Sequence, residues 1–99
     1  MQLEVNIGRL GSVVIEFAID DYNRFLALCD PASREYEMLK NGLVVRRPKN
    51  GQHEQIVEIF AQRRDAQLLL ALAHKICPVA VPAIVKAISV AQVSPQFYR

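Results

Sequence analysis

Two cysteines and two histidines are the side chains in this 99-residue sequence best suited to holding a metal or attacking a substrate. His74 and Cys77 stand three residues apart, which places two ligands on one face of a helix, and Cys29 and His53 complete a Cys2His2 count. No pair has the tight spacing of a zinc finger, and both cysteines fall in apolar stripes, so they read as buried reduced thiols. A nucleophilic role for either thiol requires a base and a lowered pKa, which spacing alone does not provide.

The acidic pair Asp20-Asp21 resembles a catalytic carboxylate dyad, but two acids in the first turn of a helix are ordinary dipole chemistry. Gly8, Gly11, Gly42 and Gly51 are scattered and form no phosphate-cradling loop. Arg46, Arg47 and Lys49, with Arg63-Arg64, could make a basic patch for phosphate or an acidic partner. Glu54, Glu58 and Asp65 lie near enough in sequence to pair with them, which favours a solvated face. The expectation is therefore no catalytic residue, no cofactor and no metal, and a protein that is not an enzyme.

Composition agrees. Hydrophobic residues at 52% and charged residues at 22% describe a small soluble globular domain with one modest core. A formal charge of +2 is too small to imply a nucleic-acid partner. The start of the chain has neither a basic opening nor an apolar stretch and reads as no signal peptide. Residues 66–88 are the most apolar part, but His74, Lys75, Pro78 and Pro82 interrupt them, which points to core rather than membrane and to a cytoplasmic protein.

The elements that would position these side chains follow from periodicity. Leu3, Val5 and Ile7 alternate with polar neighbours, and after the loop at residues 8–11 Val13, Ile15, Phe17 and Ile19 share a face, with Val14, Glu16 and Ala18 opposite. Together these predict an N-terminal antiparallel hairpin. Asp20 then caps a helix whose stripe is Tyr22, Phe25, Leu26 and Cys29, and that stripe should pack on the hairpin. Asn23 and Arg24 lie off the stripe and are candidate surface contacts or plain solvated positions.

Asp30-Pro31 ends this helix and starts another over residues 33–40, which Asn41-Gly42 stops. Residues 43–48 read equally as a short strand or an extended connection. After a turn at residues 49–52, Ile56, Val57, Ile59 and Phe60 predict a third helix up to Arg63-Arg64. Residues 66–73 are apolar nearly all round, either because the helix is central to the core or because it meets a partner. On the second reading Leu68, Leu69, Leu70 and Leu72 form a self-association or partner surface. Pro78 breaks that helix, residues 82–88 make a last short one, and residues 89–99 read as a loose tail. The predicted fold is a single α+β domain over residues 1–88, a hairpin followed by four or five helices.

One junction carries a resemblance. Val14-Ile15-Glu16-Phe17-Ala18-Ile19-Asp20-Asp21-Tyr22-Asn23-Arg24-Phe25 is similar to the small tail assembly chaperones of long-tailed bacteriophages, where a hairpin runs into a helix opening Asp-Tyr-Asn-Arg-aromatic. The likeness spans residues 12–75 and is sharp over Asp21 to Phe25; residues 43–51 and 78–82 depart from it. It implies a non-enzymatic protein of the bacterial host cytoplasm, absent from the mature virion. Such a protein binds the tape-measure protein and helps recruit tail-tube subunits, self-associates into a homo-oligomer, and touches neither nucleic acid nor membrane. The other class compatible with a small motif-free domain is a phage- or plasmid-encoded inhibitor of a host defence or regulatory complex. A small DNA-binding regulator ranks third, with only Arg63-Arg64 in its favour.

Overall fold

The computed structural model describes residues 12–93. The expected first strand at Leu3, Val5 and Ile7, and with it the N-terminal hairpin, lies outside the described residues, as do residues 94–99.

The alternation of Val13, Ile15 and Phe17 with polar or small neighbours forms strand β1 (Ser12–Ala18), with those three side chains buried. The chain turns directly into helix α1 (Ile19–Leu28). Its N-cap is Ala18, which makes no side-chain cap, so Asp20 is not the cap; Asp20 and Asp21 occupy the first turn, where the helix dipole favours them. Ser33 caps helix α2 (Arg34–Lys40) by accepting from the Tyr36 amide. The chain then enters strand β2 (Leu43–Lys49), so residues 43–48 are a strand rather than a connection.

Residues 52–62 are not a helix but the long strand β3 (Gln52–Gln62). Asn50 and Gly51 both take positive φ, 53° and 78°, and close a two-residue hairpin between β2 and β3. β3 is the central strand: β1 and β2 both run antiparallel to it, giving the order β1-β3-β2. Among the described residues the hairpin is β2–β3, and the fold is α+β with a three-stranded antiparallel sheet and four α-helices. Pro48 lies on edge strand β2, where its missing N–H costs no central ladder bond.

Helix α3 (Arg63–Ile76) ends at Cys77, a 3-10 turn (Pro78–Ala80) follows, and helix α4 runs over Val81–Val93. α4 passes the expected end at residue 88, and Ala91 is buried, so residues 89–93 are helix rather than loose tail.

The core is built on one side of the sheet. Register places Val13, Ile15 and Phe17 beside Ala61, Ile59 and Val57, and the buried residues of all four helices cluster with this face. Phe25 of α1, fully buried, meets Phe17 edge-to-face at 6.1 Å and 73°, a geometry that adds about 0.5–1.5 kcal/mol to the area buried. Tyr22 donates its hydroxyl to the Leu39 carbonyl at 2.6 Å, tying α1 to the end of α2. Burial raises the pKa of this phenol, which stays a neutral donor.

Gly42 does more than stop α2. A Cβ there would run into Val57 Cγ1 and come within 2.8 Å of Ile59 Cδ1, so the backbone lies against the central strand. Gly42→Ala is expected to destabilise the fold by about 1–3 kcal/mol, the usual cost of overpacking a tight core. Urea unfolding would read it as a lower midpoint at unchanged slope.

Candidate protein-interaction surface

The face of the sheet opposite the helices is the unusual surface of this domain. Its rows follow from register: Val14 beside Phe60, then Glu16, Glu58 and Leu43, then Ala18, Ile56 and Val45, then Glu54 and Arg47. None of these belongs to the core cluster. Phe60 is 61% exposed, Leu43 55% and Val14 42%, so an aromatic and two aliphatic side chains stand open on the sheet face. A large aromatic left in water on a central strand is a candidate contact residue.

The charged part of this face is internally satisfied. Arg47 of β2 reaches across β3 and donates two hydrogen bonds to the Glu16 carboxylate of β1, at 2.7 and 2.9 Å, while Glu58 lies 3.8 Å away. Arg47 starts in the Glu54 row, so its stem runs past Ile56 to reach Glu16. Ile56, in the row between, is only 7% exposed, although it lies outside the core cluster that the described helices form. Lys49 pairs with Glu54 at 3.5 Å. The basic run at residues 46–49 is therefore in large part engaged by carboxylates of its own sheet.

The Arg47 hydrogen bonds hold the Glu16 carboxyl below its ordinary value of 4.5, against the opposing effect of burial. A carboxyl depressed in the folded state stabilises fully above its unfolded pKa and loses that contribution as pH falls through the folded value. Stability should accordingly fall below about pH 4.5, and Glu16→Gln should flatten that part of a melting-temperature-versus-pH curve.

At the β1 end the open face continues into a groove of 340 Å³ between β1 and α4. Ala83, Ala87 and Ala91, four residues apart along α4, line it, with Ala87 and Ala91 buried in the core cluster. Val14 and Glu16 line the strand side, with Lys86 and Val90 on the helix side. Val90 is 56% exposed, so the apolar surface runs from Phe60 through Val14 to α4.

The leucines singled out in the sequence are elsewhere. Leu69 is fully buried in the core with Ala66 and Ala73, Leu70 and Leu72 are partly buried against it, and Leu68 is 44% exposed. α3 is an amphipathic helix, not one apolar all round, and the four leucines form no common outer surface. Asn23 and Arg24 are exposed on α1, off the buried Tyr22–Phe25 stripe. Asp65 pairs not with Arg63 or Arg64 but with Arg34 of α2, which donates to both of its oxygens, at 3.1 and 3.3 Å.

Cys29 and Cys77 are free and buried. Burial, with Glu35 and Cys77 nearby, pushes the Cys29 thiol up to about 11, far from the thiolate a nucleophile needs at neutral pH. His53 on β3 and His74 on α3 are exposed and on different elements. Among the described residues no three His, Cys, Asp or Glu side chains gather into a group that could hold a metal ion, and no helix is long and apolar enough to cross a membrane.

Sequence reasoning missed the sheet face and the groove because it placed Phe60 on a helix. Read as a strand, residues 52–62 put Phe60 and Val14 on one side and Ile59 and Ile15 on the other. Comparison with protein-family models, with curated proteins and with solved structures returns no match for this chain.

Proposed function

We propose that this domain is a non-enzymatic protein-holding module, a tail assembly chaperone that binds the tape-measure protein and assists tail-tube assembly. One observation carries the reading: a two-layer domain leaves Phe60, Val14 and Leu43 open on a sheet face whose Glu16 and Arg47 are paired. A long helical client with apolar stripes would aggregate before its tube covers it, and a holder needs such a surface and no reactive groups. At the Asp21–Phe25 junction, on which the resemblance to these chaperones rests, Tyr22 and Phe25 pack inward and Asn23 and Arg24 face outward. Self-association, if it accompanies the role, draws on the sheet face, since α3 offers only Leu68 as a well-exposed leucine.

The test is affinity capture of the tagged protein from its bacterial host during phage production, with mass spectrometry of what co-purifies. Recovery of a very long, helix-rich phage protein is the expected result. Recovery of a host defence or regulatory complex instead would overturn the chaperone reading in favour of an inhibitor.

A further inference from the structure

We propose that the outer edge of β2 takes an extended, acidic segment of a partner protein as an added antiparallel strand, with a carboxylate set opposite Arg46. Strand addition at this edge goes beyond the protein-holding reading and holds whichever client the sheet face takes.

The backbone supplies the first argument. The turn at Asn50-Gly51, with both φ values positive, makes the flanking pair Lys49–Gln52 a hydrogen-bonded one. Such pairs alternate along an antiparallel ladder. Leu43, Val45, Arg47 and Lys49 therefore turn their backbone polar groups toward β3, while Val44, Arg46 and Pro48 turn theirs outward. The outer edge offers the N–H groups of Val44 and Arg46 and the carbonyls of Val44, Arg46 and Pro48. Pro48 has no N–H to give and ends the usable ladder near the turn. Among the described elements β2 pairs with β3 alone, and no helix packs extensively on it.

Side chains beside this edge are apolar on both faces. Leu43 stands on the open face, and Val44, 57% exposed, stands beside the buried Val57 on the helix side. An added strand would cover both through its own alternating side chains. Charge then selects the partner. Arg46 shares the helix-side face with Val44 and Pro48, and the β3 residues in those rows are Gln55, Val57 and His53, none of them a carboxylate. Glu54 and Glu58 stand on the opposite face, where Lys49 and Arg47 engage them. Arg46 is exposed and makes no ion pair with a described residue. β2 itself carries three cations and no carboxylate, so a second copy has nothing to set against Arg46. An acidic strand meets it with a cross-strand ion pair, and the same charge that deters self-pairing favours that partner.

A peptide of about eight residues, an ordinary strand length, serves as the probe. It is built of threonine and valine with one glutamate near its centre; a second peptide has lysine in the glutamate's place. Titrated into the isotope-labelled full chain, the glutamate peptide should shift the Val44 and Arg46 amide resonances and slow their hydrogen exchange. Arg46→Glu should weaken it about two- to fivefold, the scale of a cross-strand ion pair, and should favour the lysine peptide by a similar factor. Val44→Pro removes an outward N–H and leaves the β3 ladder intact, so it should weaken both peptides alike. Circular dichroism and thermal melting check that each variant is folded.

Unchanged Val44 and Arg46 amides up to about millimolar peptide, the same preference between the two peptides before and after Arg46→Glu, or undiminished binding to a folded Val44→Pro would each overturn the proposal. So would Val44 and Arg46 amides already protected without peptide. A doubled light-scattering mass would then assign the edge to a second copy, and an unchanged mass to the chain itself.

Discussion

Replacing Leu69 by glutamate is expected to unfold the protein, whereas the same change at Leu68, one residue earlier, should leave it folded. Leu69 is fully buried among core residues of α3 and its neighbours, while Leu68 is 44% exposed. Removing the leucine alone forfeits about 2–5 kcal/mol, and a carboxyl placed there must lose its hydration or its charge without a partner. The sum exceeds about 4 kcal/mol, most of what holds a domain of this size together. Circular dichroism and urea titration of the two variants read the contrast directly. If Leu69→Glu folded with near-native stability while Leu68→Glu did not, α3 would have to face the opposite way, and its leucines would again be candidates for a partner surface.

Phe25→Ala comes next in size. Its ring is fully buried and meets Phe17 edge-to-face across the boundary between helix and sheet. Among the described residues no polar or charged residue is buried, so truncation opens a void among largely apolar side chains. The expected loss is about 3–5 kcal/mol, the range for large aromatic truncations in cores. It should appear as a lower urea midpoint with an unchanged slope. A loss below about 1 kcal/mol would mean that α1 does not dock through its Tyr22–Phe25 stripe. Leu28, on the same helix but 51% exposed, is the matched control; Leu28→Ala should cost far less.

Where apolar residues sit in a strand decides how plainly its sequence shows it. β1 was legible because only one of its faces is buried, so its alternation is clean, and the stripes of α1 and α2 were legible for the equivalent reason. β3 was not. It is the central strand, with Val57 and Ile59 in the core, Ile56 7% exposed on the other face, and Phe60 left open. Apolar residues on both faces at 56, 57, 59 and 60 reproduce helical spacing by coincidence. Two signals could have decided against the helix: β-branching at Ile56, Val57 and Ile59, and the Asn50-Gly51 pair, whose positive φ values suit a two-residue hairpin. The misplacement of that one element hid the candidate surface, because Val14 and Phe60 become neighbours only when β3 is a strand beside β1. α3 misled differently: alanines and leucines look alike on a wheel, and which of them face inward is settled by what packs against them.

The strand order also sets a tempo. β2 and β3 are joined by two residues and can zip from the Asn50-Gly51 tip on the microsecond scale of an isolated hairpin. β1, by contrast, finds its place only by pairing residue 18 with 56 and residue 12 with 62, after two helices and the whole hairpin have been spelled out. Closing that long loop carries most of the chain-entropy cost of the topology. On a ribosome β1 therefore emerges before β3, and until β3 follows Val13, Ile15 and Phe17 lack the neighbours Ala61, Ile59 and Val57.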